Sequence, residues 1–182
     1  MRYIALLRGI NVGGHNIIRM SSLKGAFERR GFQDISTYIN SGNIIFDSTL
    51  DKNCLKIICE TLIAEEFKLN IIVCIISAAE LASALAHAPK WWNEAPNSKH
   101  NAFFVIPPAT AEELCARVGV INEKYEIVAH HGLVIFWSAP ISSFSRTRWS
   151  KIISTDKDVS HAITVRNANT TLKLAELTAK RS

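Results

Sequence analysis

The stretch LLRGINVGGHN, Leu6 to Asn16, decides between two kinds of fold. Gly9 and Gly14 stand in G-x-x-x-x-G spacing. A phosphate-cradling P-loop continues that spacing with Lys and then Ser or Thr, opens a helix at once, and sits on a parallel sheet. Here His15 and Asn16 follow, so both the phosphate-binding lysine and the Mg²⁺-binding hydroxyl are missing. The next helical periodicity, Met20, Leu23 and Phe27, begins several residues too late for its N–H groups to reach a phosphate in the loop. The stretch reads instead as a buried strand, Tyr3 to Leu7, running into a long polar loop. Nucleotide hydrolysis at this loop is therefore not expected.

Outward from the loop, the pattern is antiparallel. The helix from Met20 ends in Arg29 and Arg30 with Gly31 behind it, basic residues and a glycine stop where a helix terminus favours them. Ile35 to Ile39 and Ile44 to Phe46 flank Asn40-Ser41-Gly42-Asn43, which predicts a β-hairpin. Leu55, Ile58, Cys59 and Leu62 form a helical stripe behind a cap at Ser48 or Asp51, and Ile71 to Ile76 is a strand. The order β-α-β-β-α-β is the ferredoxin-like unit. Ser77-Ala-Ala-Glu80 and Thr110-Ala-Glu-Glu113 have capping-box spacing and predict two further helices. After a Pro- and Trp-rich stretch the order returns. Ala102–Ile106 is a strand and Lys124–Ala129 with Leu133–Trp137 a hairpin around His130-His131-Gly132. A basic helix through Trp149, Ile152 and Ile153, a strand Ala162–Val165 and a helix from Thr170 complete it. The expectation is an α+β chain of two tandem ferredoxin-like subdomains with antiparallel sheets, residues 1–87 and 100–182, joined by a linker at 88–99 and closed by a C-terminal helix.

Composition narrows the function classes. The chain has 182 residues, 48% hydrophobic and 20% charged, ordinary globular usage. No apolar run approaches the roughly 18 residues of a membrane span, and the N-terminus lacks a signal-peptide pattern. A cytoplasmic protein with no membrane partner is expected. Cys54, Cys59, Cys74 and Cys115 lack C-x-x-C spacing and read as buried thiols, without disulfide or zinc. The net charge of +5 is unevenly spread: residues 1–50 carry +3, 51–140 carry −3 and 141–182 carry +5. Basic ends permit a positive surface toward an anionic partner.

Three segments match a known family. LLRGINVGGHN (6–16), TYINSGNIIF (37–46) and TVRNANTTLKL (164–174), with Met20, Leu23 and Gly31-Phe32 between them, resemble the DUF1697 family, small bacterial proteins of unknown function. His15 and Ala168 stand where the family pattern commonly has Lys and Trp. The resemblance implies an α+β fold in two subdomains and carries no catalytic residues, activity or cofactor with it.

The candidate ligand residues fall in those segments. Asn167 or Asn169 is a natural N-cap for the last helix. Arg166 at the strand end, with Thr170 and Lys173 in the first turns, makes an anion pocket of the kind that helix N-termini provide. The alternative is a plain cap with Arg166 paired structurally. Arg8, Asn11, Gly13, Gly14 and Asn16 give the opening loop a similar polar character, and a connection this long is more often functional than a short one. Tyr38, Ser41 and Asn43 complete the set, a hairpin turn being the competing reading. Adjacent His130 and His131 point to opposite strand faces and cannot readily share a metal ion, so no metal site is expected. The expectation is a binding module for an anionic small molecule, nucleotide-like, or for nucleic acid, in a cleft between the subdomains. An enzyme acting on a phosphorylated or carboxylated small molecule, and a protein with structural or interaction roles alone, are the other readings. No catalytic residue or oligomeric state is assigned.

Overall fold

A computed structural model describes residues 1–179. By its packing the chain divides into two units: Met1–Ala79 with the residues from Leu174, and Glu80–Lys173. The division thus falls just inside α3 (Ala78–Ala86), ahead of the Pro- and Trp-rich stretch, and it splits the last helix.

The first unit runs β1 (Arg2–Leu7), α1 (Met20–Arg29), β2 (Gln33–Tyr38), β3 (Asn43–Asp47), α2 (Lys52–Phe67) and β4 (Val73–Ser77). Its sheet is antiparallel throughout, in the order β2-β3-β1-β4. Alternation along β1 sends Tyr3, Ala5 and Leu7 to one face, where they join Leu23 and Phe27 of α1 and Leu55, Cys59 and Leu62 of α2 in one core. Phe27, Phe32 and Phe46 meet edge-on or tilted with centroids 4.7–5.6 Å apart, arrangements that the ring quadrupoles favour. Asp51 caps α2, its carboxylate accepting the N–H groups of Asn53 and Cys54, and so settles the choice left open with Ser48.

The second unit repeats the strand arrangement. β5 (Ser98–Val105), α4 (Ala111–Val118), β6 (Ile127–His131), β7 (Val134–Pro140) and β8 (Ile163–Asn167) give an antiparallel sheet of order β6-β7-β5-β8. Thr110 and Glu113 close the expected capping box on α4 reciprocally. Where the sequence pattern suggested one basic helix, the chain forms a 3-10 turn (Ile141–Arg146), α5 (Arg148–Thr155) and α6 (Lys157–His161). Asp156 breaks the run because its carboxylate caps α6 through Asp158 and Val159 N–H while pairing with Arg117. The N-terminus of α5 rests on the buried carboxylate of Glu126. Its Oε1 accepts Arg148 N–H at 2.5 Å, and its Oε2 accepts the Trp137 indole N–H at 2.8 Å and Trp149 N–H at 3.3 Å. Trp137, Trp149 and Phe103 form the centre of this unit's core. The last helix, α7, spans Ala168–Ala179 and follows β8 directly.

Among the described residues no helix is long and apolar enough to cross a membrane. The whole is a mixed α/β chain with two four-stranded antiparallel sheets.

Candidate functional site

The sequence-predicted residues fall in three places, two in the first unit and one in the second. In the opening loop, Val12 and His15 form a one-bridge turn, His15 N–H donating to Val12 carbonyl at 3.0 Å. Gly13 (φ 58°) and Gly14 (φ 79°) occupy its corners, where both positions need the left-handed backbone that glycine adopts freely. Asn11 ties the loop together. Its Nδ2 donates to Ile18 carbonyl at 2.9 Å and Asn40 carbonyl at 2.7 Å, and its Oδ1 accepts Ile18 N–H at 2.8 Å. Asn16 Nδ2 donates to Gly9 carbonyl at 3.0 Å. Both asparagines are themselves left-handed, at φ 53° and 49°, a conformation that asparagine tolerates better than most residues. Partial burial holds the Arg8 guanidinium below its ordinary range.

The hairpin turn is built the same way. Asn43 is fully buried, its Nδ2 donating to Tyr38 carbonyl at 3.0 Å and to Ser41 Oγ at 2.9 Å. Gly42 (φ 75°) accepts Leu7 N–H, and a Cβ there would meet Ile10 Cδ1 at 2.7 Å and Leu7 Cβ at 2.8 Å. At the start of the turn Ile39 holds φ 48°, unusual for a β-branched residue, with its side chain exposed. Tyr38 is half-buried. Arg8, Asn11, Asn16, Ser41 and Asn43 are thus placed in the first unit by loops whose polar groups mostly hold backbone.

In the second unit, Asn167 is the N-cap of α7, its Oδ1 accepting Thr170 N–H at 2.8 Å. Asn169 is the second helical residue, and Thr170 is buried. Arg166 is only 6% exposed, and its Nη1 donates to Thr164 Oγ1 at 3.1 Å and Val165 carbonyl at 2.8 Å. Lys173 lies more than a turn further along the helix.

A cavity of about 450 Å³ opens beside this helix start, lined by Asn93, Glu94, Lys99, His100, Asn101, Asn167 and Asn169 among others. β5 supplies Lys99 to Asn101, and its pairing with β8 sets Asn101 opposite Asn167. The side chains of Asn93, Asn101 and Asn169 make no hydrogen bond to another described residue. Lys99 Nζ lies 3.7 Å from the centroid of the Phe144 ring. Neither Arg166 nor Lys173 lines the cavity. The cavity-lining residues that sequence reasoning did not name include Asn93, Lys99, His100 and Asn101. For Lys99, His100 and Asn101 the signal available was the strand order, which brings the start of β5 beside the end of β8; Asn93 lies ahead of β5 and had none.

The histidine pair behaves as strand geometry requires. His131 stacks on His87 with centroids 3.9 Å apart, while His130 Nδ1 stands 3.6 Å from Glu112. Among the described residues no three metal-ligating side chains gather. All four cysteines are free thiols, and burial pushes Cys59 up to about 12, leaving it inert. Cys54, however, is exposed rather than buried, because it sits at the solvent side of the first turn of α2.

The chain belongs to the DUF1697 family, described as a protein of unknown function, whose pattern matches residues 1–136. It is also similar to a solved structure, the conserved bacterial protein SP0830 from Streptococcus pneumoniae. The two share 30% identity and a TM-score of 0.85, over 97% of this chain and 98% of that one. No curated protein matches the chain.

Proposed function

We propose that the protein is a binding module for a small nucleotide-like anionic metabolite, held in the cavity at the start of α7. The observation that carries this reading is the combination of an adequate volume with unspent amides. About 450 Å³ lies within the range of roughly 300–1,000 Å³ usual for small-ligand sites. Asn93, Asn101 and Asn169 offer paired donors and acceptors suited to the edge of a heterocycle or to sugar hydroxyls. The first N–H groups of α7 have no partner within the helix and favour an anionic group. Lys99 adds the one cationic side chain of the lining. Glu94 sets a carboxylate in the same wall, so the phosphate belongs at the helix end and away from it.

Nucleic acid is the weaker form of the proposal. No Phe, Tyr or Trp lines the cavity, His100 being its one ring, whereas single-stranded nucleic acid is usually held by stacking on several aromatic side chains. Each unit is further inferred to be ferredoxin-like, on the shared strand order. A reducing, cytoplasmic setting is inferred from the four free thiols.

Titration calorimetry with adenosine, guanosine, cytidine and uridine monophosphates, and with inorganic phosphate alone, tests the reading. At least one monophosphate is expected to bind below millimolar concentration, with Asn169→Ala and Lys99→Ala each weakening it about tenfold. Glu94→Gln is expected to tighten it. Absence of heat and of thermal shift with every monophosphate at millimolar concentration would sink the proposal.

A further inference from the structure

Beyond ligand binding, we propose that Ser138 and His100 form a nucleophile and base that hydrolyse esters or thioesters of small carboxylic acids. The two residues are register partners on adjacent strands β7 and β5. Partners across a ladder share a face, so the side chains meet: Ser138 Oγ lies 2.6 Å from His100 Nδ1. The other ring nitrogen fixes the roles. His100 Nε2 is 2.9 Å from Ala95 carbonyl oxygen, which can only accept, so Nε2 carries the proton. In the neutral imidazole Nδ1 is then left with its lone pair and accepts the Ser138 hydroxyl proton. Nucleophile, base and a third group orienting the base are the arrangement that activates a serine.

The surroundings provide somewhere for an acyl group to go. A cavity of about 170 Å³ is lined by Ser138 and His100 together with Trp91, Tyr125 and Ile127. Ile127 is the register partner of Ser138 on the other side, so Ile127, Ser138 and His100 make one row across the sheet. The apolar walls and small volume suit a short acyl chain rather than a sugar or a phosphate. Glu126 lines the same cavity but is fully engaged by three N–H donors, so it is not the base.

The step balances without any cofactor. Ser138 Oγ adds to the acyl carbon as its proton passes to His100 Nδ1. The bond from the acyl carbon to the leaving oxygen or sulfur breaks, and that atom takes the proton from Nδ1. Water then gives a proton to Nδ1 and adds to the acyl carbon. The bond to Oγ breaks, the proton returns to Oγ, and a carboxylic acid leaves.

The test uses the full chain and a fluorophosphonate probe, read by peptide mass spectrometry, with p-nitrophenyl acetate as a second reporter. The wild-type chain is expected to gain one phosphonyl adduct, located on Ser138, and to release p-nitrophenolate in a burst. Ser138→Ala is expected to abolish both, and His100→Gln to slow labelling by about a hundredfold, the scale of a lost general base. Prolonged exposure that leaves wild-type Ser138 unmodified overturns the proposal, and so does His100→Gln labelled at the wild-type rate. Because the wild-type protein itself carries the first of these outcomes, misfolding of a variant cannot hide the answer. Nucleotide binding in the larger cavity is read by a different probe and stands or falls separately.

Discussion

Asparagines gather in two places in this protein, and the two groups are used differently. In the first unit, the amides of Asn11, Asn16 and Asn43 are consumed by backbone carbonyls, an N–H and one hydroxyl, and they hold two turns together. In the second unit, Asn167 caps α7, while Asn93, Asn101 and Asn169 stand around a cavity without such duties. The residue type is the same and the local composition is similar. What separates scaffold from candidate ligand groups is whether the amide's hydrogen-bonding capacity is already filled. A filled amide stabilises its loop, and removing it leaves buried backbone groups without partners. An open one contributes little to stability and is available to a ligand.

That contrast can be broken by mutation. The largest effect is expected at Gly42, where Ala would bring a Cβ against Ile10 and Leu7 at a backbone angle hostile to side chains. Overpacking and conformational strain together are expected to cost about 3–4 kcal/mol in urea unfolding. Asn11→Ala comes next, at about 2–3 kcal/mol for three lost hydrogen bonds and a left-handed backbone. Each kcal/mol corresponds to a fall of about 2–4 °C in melting temperature for a chain of this size. Asn167→Ala should cost about 1 kcal/mol as a lost N-cap. Asn169→Ala should stay within about 0.5 kcal/mol of the parent, and Asn93→Ala, at a left-handed φ of 68°, should cost about 1 kcal/mol for the backbone alone and nothing for its amide. If Asn93→Ala destabilises as much as Asn11→Ala, the division between filled and open amides is wrong.

A change in pH gives the smallest effect and sharpens the scaffold side. Hydrogen bonds from Cys54, first its thiol and then its N–H, together with Asn53 N–H, hold Asp51 below the usual carboxylate range. A carboxyl depressed on folding adds stability above its unfolded value and loses it as pH falls through the folded one. Acid titration of stability should therefore be slightly steeper in the parent than in Asp51→Asn. Equal slopes would remove the cap from the account.

Much of the scaffold was legible in the sequence because local patterns wrote it. The alternation along Tyr3–Leu7, the turn at Asn40–Asn43, and the capping box at Thr110 each depend on residues a few positions apart. The interrupted crossover between β7 and β8 was less legible. Trp149, Ile152 and Ile153 fit one helix, and the stop comes from Asp156, whose partner Arg117 lies far away in sequence. The candidate cavity was half legible for the same reason. Asn167 and Asn169 announce a helix start locally, but Lys99 and Asn101 reach it only because β5 pairs with β8. Arg166 shows the converse: a strand-end arginine invites an anion, yet alternation turns its side chain toward the buried face where Thr164 also points.

The Glu126 junction also fixes what an optical experiment on this chain observes. All four tryptophans, Trp91, Trp92, Trp137 and Trp149, belong to the unit spanning Glu80–Lys173. Trp137 and Trp149 both donate to the one Glu126 carboxylate. Intrinsic tryptophan emission therefore reports that unit alone, and above all the attachment of α5 to its sheet. Far-ultraviolet dichroism reports both units together. Recorded side by side during unfolding, the two signals make the chain its own two-channel instrument: coincident transitions mean that the units melt as one, and separated transitions mean that they do not.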